Sequence, residues 1–347
     1  MSRAEARYVT VDGLRDYSIF TEVERGWRAL AQRVEPAGKI GYNRLVTLGV
    51  VIMKRRVAHP RAVAQALFVT FLWSTSWVLI KIGLEDIPAL TFAGLRYSLA
   101  FLCLLPVALS SRRRSGIRGM SRRKWAELIA LGLLFYAITQ GAIFVSLAYL
   151  PAMTVSLLWN FTTVVVALLG VFLLAERPTT LQWSGVGVNL SGILMYFFPV
   201  WIPLGQAVGL VAATVGVLAN AVSSILGRHI NREGDIHPSV VTTVSMGVGA
   251  VTLLVAGITT QGLPSLSLAN WLIIGWLAVV NTAFAFTLWN YTLRVLSAMQ
   301  SSIINSTMLA QIAVLAWLFL GEHLTGQQVI GLILAGLGTL MVQLRRE

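Results

Sequence analysis

The chain has almost no cysteine and little charge. Cys103 is the single cysteine among 347 residues, so no intrachain disulfide can form. Charged residues make up only 12% of the sequence, 14 acidic against 27 basic. No HExxH, Walker loop or nucleophile elbow occurs, and an ATP-driven pump is thereby disfavoured. The four histidines, His59, His229, His237 and His323, are scattered at the ends of apolar runs or in loops, which gives no metal site. No Asp or Glu falls at the centre of an apolar run, for Glu127, Glu176 and Glu322 all sit at edges. Buried carboxylates commonly relay protons in transporters, so obligate proton coupling has no support here.

What the chain has in abundance is apolar sequence. Hydrophobic residues are 56% of it and the mean hydropathy is +0.75, too apolar for a soluble domain of this length. A hydrocarbon core of about 30 Å needs roughly 20 apolar residues per helix. Windows of that kind fall near 62–82, 89–109, 126–149, 152–174, 181–199, 205–226, 238–258, 270–292, 298–320 and 326–343, which predicts ten spans. The net charge of +13 is clustered in the leading segment and between apolar runs, at Arg112-Arg113-Arg114, Arg118 and Arg122-Arg123-Lys124. That placement is a topology signal first and a contact with membrane lipids second; nucleic acid is disfavoured as a partner. Loops with Lys and Arg alternate with loops that have none, and this alternation predicts both termini in the cytoplasm.

Residues 121–195 and 267–341 align without a gap at an offset of 146, with about a quarter of positions identical. Ser121/Ser267, Glu176/Glu322, Thr179/Thr325, Gln182/Gln328, Gly185/Gly331 and Gly192/Gly338 are among the matches. With an odd number of spans per copy, the second copy enters the membrane inverted, an arrangement found in secondary transporters. The expected fold is therefore an all-α membrane protein of two inverted five-helix repeats, residues 60–199 and 200–347. Residues 1–59 form a cytoplasmic or interfacial extension, or the native chain starts at Met53. The apolar run Leu45 to Met53 is too short to cross.

Candidate site residues are the polar and aromatic groups inside spans. Arg96 in the second span is the sharpest signal, since charge at membrane depth is costly and faces a cavity or a partner. It either receives a carboxylate or phosphate of a substrate, or snorkels, or pairs with Glu85 or Asp86. Lys81 adds positive charge at similar depth, unless it snorkels or meets Glu85. Trp73 and Trp77, one turn apart, form a wall for a substrate or pack between helices. Trp159-Asn160 and Asn305-Ser306 are repeat equivalents in spans four and nine, where a midplane site is expected. Gln140 and Asn281, with Asn220, Asn290 and Gln311, are further candidates, each equally suited to an interhelical hydrogen bond. The glycines at 185, 192, 331 and 338 read as packing positions. No catalytic residue, metal ligand or cofactor site is expected.

Several of these stretches resemble the EamA-type family of the drug/metabolite transporter superfamily. Trp73-Ser74-Thr75-Ser76-Trp77 through Lys81 is similar to its first-span pattern, and Pro88 with Arg96-Tyr97 to its second. Ala175-Glu176-Arg177-Pro178 and Gly321-Glu322-His323-Leu324-Thr325 resemble the boundary repeated in both halves. The resemblance covers roughly 53–347. Ser74 stands where the family commonly has Gly, and Leu218 stands near an expected Trp. What the resemblance implies is two inverted repeats around a central cavity, and export or exchange of small metabolites.

Together these readings predict a multi-pass carrier of the bacterial inner membrane working by alternating access, not an enzyme. The expected substrate is an anionic or zwitterionic small molecule, amino acids leading. The rivals are a carrier of lipophilic compounds and a non-transporting membrane sensor or enzyme. Oligomeric state and coupling ion are not legible in the sequence.

Overall fold

The computed structural model describes residues 39–109, 119–174, 179–198, 204–233, 236–292, 295–296 and 298–343. The chain divides into two units, Met1–Arg61 and Ala62–Glu347. The described part of the first is helical; the second carries the candidate site residues. Among the described residues every element is helical. In chain order these are α1 (Lys39–Gly83), α2 (Ala89–Ala108), α3 (Arg122–Leu131), π1 (Gly132–Thr139), α4 (Gln140–Tyr149), α5 (Ala152–Asn160), α6 (Thr162–Leu174) and α7 (Thr180–Phe197). Then come α8 (Leu204–Glu233), α9 (Pro238–Gln261), α10 (Leu268–Ala278), π2 (Val279–Phe284), α11 (Ala285–Thr292), α12 (Ala298–Ser306), α13 (Met308–Leu320) and α14 (Gly326–Gln343).

Eight stretches among the described residues are long and apolar enough to cross a membrane. The predicted fourth and fifth spans are not among them. The fourth is represented by the shorter apolar stretch Ala152–Val166, and α7 carries Gln182, Ser184, Asn189 and Ser191, which lower its hydropathy. The chain is thus a multi-pass integral membrane protein.

The residues shared by the two sequence copies turn out to be helix punctuation. Ser121 Oγ accepts from Lys124 N (3.3 Å) to start α3, and Ser267 Oγ accepts from Asn270 N (3.2 Å) to start α10. α7 and α14 begin with matching capping boxes. In each the Gln side chain accepts from the Thr N–H at 2.9 Å, and the Thr hydroxyl accepts from the Gln N–H at 3.3 Å. Each satisfies N–H groups that a helix start would otherwise leave bare, a contribution of about 1 kcal/mol per cap.

The repeated glycines hold α7 against α14. A Cβ on Gly185 would lie 2.8 Å from Gly338 O, and one on Gly192 would lie 2.6 Å from Gly331 O. Position 185 thus meets 338 while 192 meets 331, so these repeat-equivalent helices run antiparallel at backbone contact. Asn189 reinforces the seam: its Nδ2 is 2.9 Å from both Ala335 O and Thr339 Oγ1.

The repeat also places irregularities in register. The π segments 132–139 and 279–284 overlap under the offset of 146. Phe161 interrupts α5/α6 at φ −63°, ψ −18°, and Thr307 interrupts α12/α13 at φ −63°, ψ −19°. The N–H of each bonds three residues back, Phe161 to Leu158 O and Thr307 to Ile304 O, both at 3.1 Å. The two breaks have different surroundings. Around Thr307, Gln311 Nε2 donates to Thr307 Oγ1 (3.1 Å), and Ser74 Oγ lies 2.9 Å from Gln311 Oε1 and 2.8 Å from Thr70 O. Around Phe161 there is instead an open apolar groove of about 260 Å³, lined by Leu158, Phe161, Val165, Ala213, Val217 and Leu218 among others.

Candidate functional site

Arg96 is carried inward by α2, which follows Pro88 and buries Phe92, Ala93, Arg96, Tyr97 and Ala100 on neighbouring turns. The residue is only 5% exposed. Its Nε donates to Thr282 Oγ1 at 3.2 Å. Its guanidinium carbon sits 5.3 Å from the centre of the Tyr97 ring and 6.0 Å from that of Phe144, within cation–π range. Among the described residues no carboxylate pairs with it, Glu85 and Asp86 included. A fixed positive charge is therefore held among a hydroxyl and two aromatic rings.

Gln140 joins this cluster through Tyr97, whose hydroxyl donates to Gln140 Oε1 at 2.7 Å. Gln140 and Phe144 are one turn apart on α4, so the amide lies along the same side of that helix as the ring beneath Arg96. With its oxygen taken by Tyr97, the amide has its two N–H groups left as donors. Arg96 and Gln140, predicted separately, are thus brought together, and Tyr97 is what joins them.

Asn281 is a tie between helices. Its Nδ2 contacts Leu72 O, Thr75 Oγ1 (3.1 Å) and Ser76 Oγ (2.9 Å), and its backbone oxygen accepts from Trp73 Nε1 (3.1 Å). π2 is thereby fastened to α1. Trp73 packs on Phe286 and Trp289 of α11, with ring centroids 5.1 and 5.2 Å away. Trp77 turns to Trp159 of α5, edge-on at 6.3 Å. Trp159 in turn lies on Gly216, where an added Cβ would collide with the indole. The two first-span indoles therefore serve different neighbours.

Lys81 is committed to backbone. Its ammonium donates to Leu147 O (2.6 Å) and Leu150 O (2.9 Å), the carbonyl end of α4, where a cation complements the helix dipole. On the other side of the same turn Glu322 accepts from Ala152 N (2.6 Å) and Met153 N (3.0 Å), the amide end of α5. Pro151 precedes that helix and offers no side-chain cap, so a carboxylate from the far repeat supplies one. Gly321 at φ 65° ends α13 in the left-handed conformation, and Glu322 departs from that helix directly after it.

Asn160 is half-buried and Asn305 exposed; neither is drawn into the Arg96 cluster. Of the remaining candidates, Asn220 meets Thr162 Oγ1 at 3.5 Å, Gln311 belongs to the Thr307 network, and the Asn290 side chain lies outside the described residues. Sequence reading misses Thr282 and Phe144, which have no local signal, and the interhelical role of Asn189. Glu322 shows in the sequence only as half of a repeated boundary.

Comparison with known proteins bears on this arrangement. The chain is 25% identical over 282 residues to the uncharacterized transporter YoaV of Bacillus subtilis, covering 79% of this chain and 93% of that one. It is 29% identical over 296 residues to a probable amino-acid metabolite efflux pump of Salmonella typhimurium, covering 78% and 92%. A solved crystal structure superposes with a TM-score of 0.60 at 17% identity, over 81% of this chain and 97% of that one, a likeness of fold. The pattern described as the EamA-like transporter family matches twice, over residues 60–198 and 207–344. By that double match across most of its length, the chain belongs to the EamA-like transporter family.

Proposed function

We propose that this protein is a secondary transporter that exports or exchanges small carboxylate-bearing metabolites, amino acids first among them. In this reading it works by alternating access in a bacterial inner membrane. It has ten spans in two inverted five-helix repeats and both termini in the cytoplasm. The observation that carries the substrate class is Arg96, a buried guanidinium with a hydroxyl and two aromatic faces but no carboxylate partner among the described residues. Burying an unpaired charge costs several kcal/mol, and an arriving carboxylate offsets that cost with paired N–H···O bonds. Relatives named as probable amino-acid metabolite efflux pumps support the same class.

A second reading, transport of lipophilic compounds, is favoured by one observation, the open apolar groove beside Phe161. The two part company at Arg96. Proteoliposomes loaded with a mixed metabolite pool are followed by mass spectrometry, with wild type, Arg96→Gln and protein-free vesicles compared. We expect carboxylate solutes to leave wild-type vesicles and to stay, at least tenfold more slowly released, in Arg96→Gln vesicles. Equal release from both proteins sinks the Arg96 assignment. Release of neutral lipophilic solutes alone moves the function to the second reading.

A further inference from the structure

Resting on the reading that Arg96 meets the substrate, we propose that Thr282 is the residue that positions Arg96, and that through it π2 reads whether the site is occupied. An arginine has four side-chain torsions, and one pinned at a single polar point takes its direction from that point. Here the point is the Thr282 hydroxyl, 3.2 Å from Arg96 Nε, on a residue with no exposed surface.

The hydroxyl is itself oriented by the backbone. Thr282 Oγ1 donates to Leu277 O at 2.8 Å, a carbonyl five residues earlier, which suits the wider winding of a π turn. With its proton spent on Leu277, the oxygen turns a lone pair toward Arg96. In an α-helical winding the same carbonyl would accept from the N–H of Asn281, and the Thr282 hydroxyl would bond one residue later or rotate away. The direction of Arg96 and the winding of π2 are thus one variable.

The neighbours make π2 a fixed reference on one side. Asn281, the preceding residue, binds α1 through Thr75 and Ser76, while Thr282 faces α2. A change at Arg96 therefore acts on the Thr282 side of π2, while its Asn281 side stays tied to α1. The first repeat has the same hydroxyl device without the charge: Thr139 Oγ1 donates to Leu134 O at 2.8 Å, again five residues back, and no described arginine bonds it. Among the described residues, only the second repeat's π turn is wired to a cation.

The test compares wild type, Arg96→Gln, Thr282→Val and Thr282→Ser in proteoliposomes loaded with a pool of proteinogenic amino acids. Hydrogen–deuterium exchange is then followed on the same proteins with and without that pool. Thr282→Val should raise the half-saturating concentration about tenfold, the worth of one hydrogen bond to a charged group, with the maximal rate within twofold. Thr282→Ser, which keeps the hydroxyl, should restore it. In wild type the pool should change exchange across 277–284 but not across 132–139, and Arg96→Gln should abolish that change. Loss of transport in Arg96→Gln with wild-type behaviour in Thr282→Val overturns this inference and leaves the substrate reading standing. Wild-type behaviour of Arg96→Gln overturns both. If Thr282→Val fails to fold, exchange decides: no response of 277–284 in wild type to the pool at saturating concentration overturns the inference.

Discussion

Gly338→Leu is expected to abolish recovery of folded, monodisperse protein, whereas Gly187→Ala on the facing helix should leave yield and thermal stability unchanged. The difference lies in what a side chain would meet. At Gly338 even a Cβ would collide with Asn189 N and come within 2.6 Å of Gly185 O, both backbone atoms that cannot rotate aside. At Gly187 nothing lies within 4 Å. Ordinary overpacking costs about 1–3 kcal/mol. Here the insertion must also push α7 and α14 apart and stretch the Asn189 bonds to Ala335 O and Thr339 Oγ1. In a bilayer, close packing and such bonds are what hold helices together, since burial of apolar surface drives little between helices. Size-exclusion profiles and thermal unfolding of the two variants check this. A monodisperse, wild-type-stable Gly338→Leu would mean that the seam is not tight.

Removal of the Glu322 carboxylate is the second large effect expected. Glu322→Ala leaves the N–H groups of Ala152 and Met153 without an acceptor at the start of α5, beneath a proline that cannot cap. Each is a charge-assisted bond, and their joint loss should cost roughly 2–4 kcal/mol. Glu322→Gln keeps one oxygen for one of the two N–H groups and should lose about half as much. Thermal unfolding in one detergent at one protein concentration ranks the three proteins. The order wild type, then Gln, then Ala supports the cap, while equal stability of Ala and wild type removes it.

Much of this architecture is legible in the chain because the repeat is written in residues with local jobs. Ser121 and Ser267, and the Thr–Gln pairs at 179–182 and 325–328, act within their own first turn, so their spacing alone announces helix starts. The glycines at 185, 192, 331 and 338 announce a close approach, though not the partner. Arg96 stands out because charge is rare in such sequence. What stays hidden depends on atoms far away in the chain. Thr282 is an ordinary threonine until Arg96, 186 positions earlier, reaches it. Lys81 looks like a second positive charge at the depth of Arg96, because nothing nearby in sequence shows that the carbonyls of Leu147 and Leu150 lie against it. The breaks at Phe161 and Thr307 carry no glycine or proline, and nothing in their own sequence marks them.

Those two breaks match in backbone angle but not in chemistry. In a carrier built of inverted repeats, identical halves would make the state open to one side and the state open to the other two-fold counterparts, equal in free energy. Here Ser74, Gln311 and Thr307 brace one break with polar bonds, while the other borders an open apolar groove that Leu218 helps to line. On the proposed alternating-access reading, this asymmetry would lift the degeneracy. A difference of only about 1.4 kcal/mol between the two states would set their populations tenfold apart. On that reading, the empty carrier would then have a preferred side of the membrane on which to wait. That preference belongs to the side chains in which its two halves have diverged, and to none of those they share.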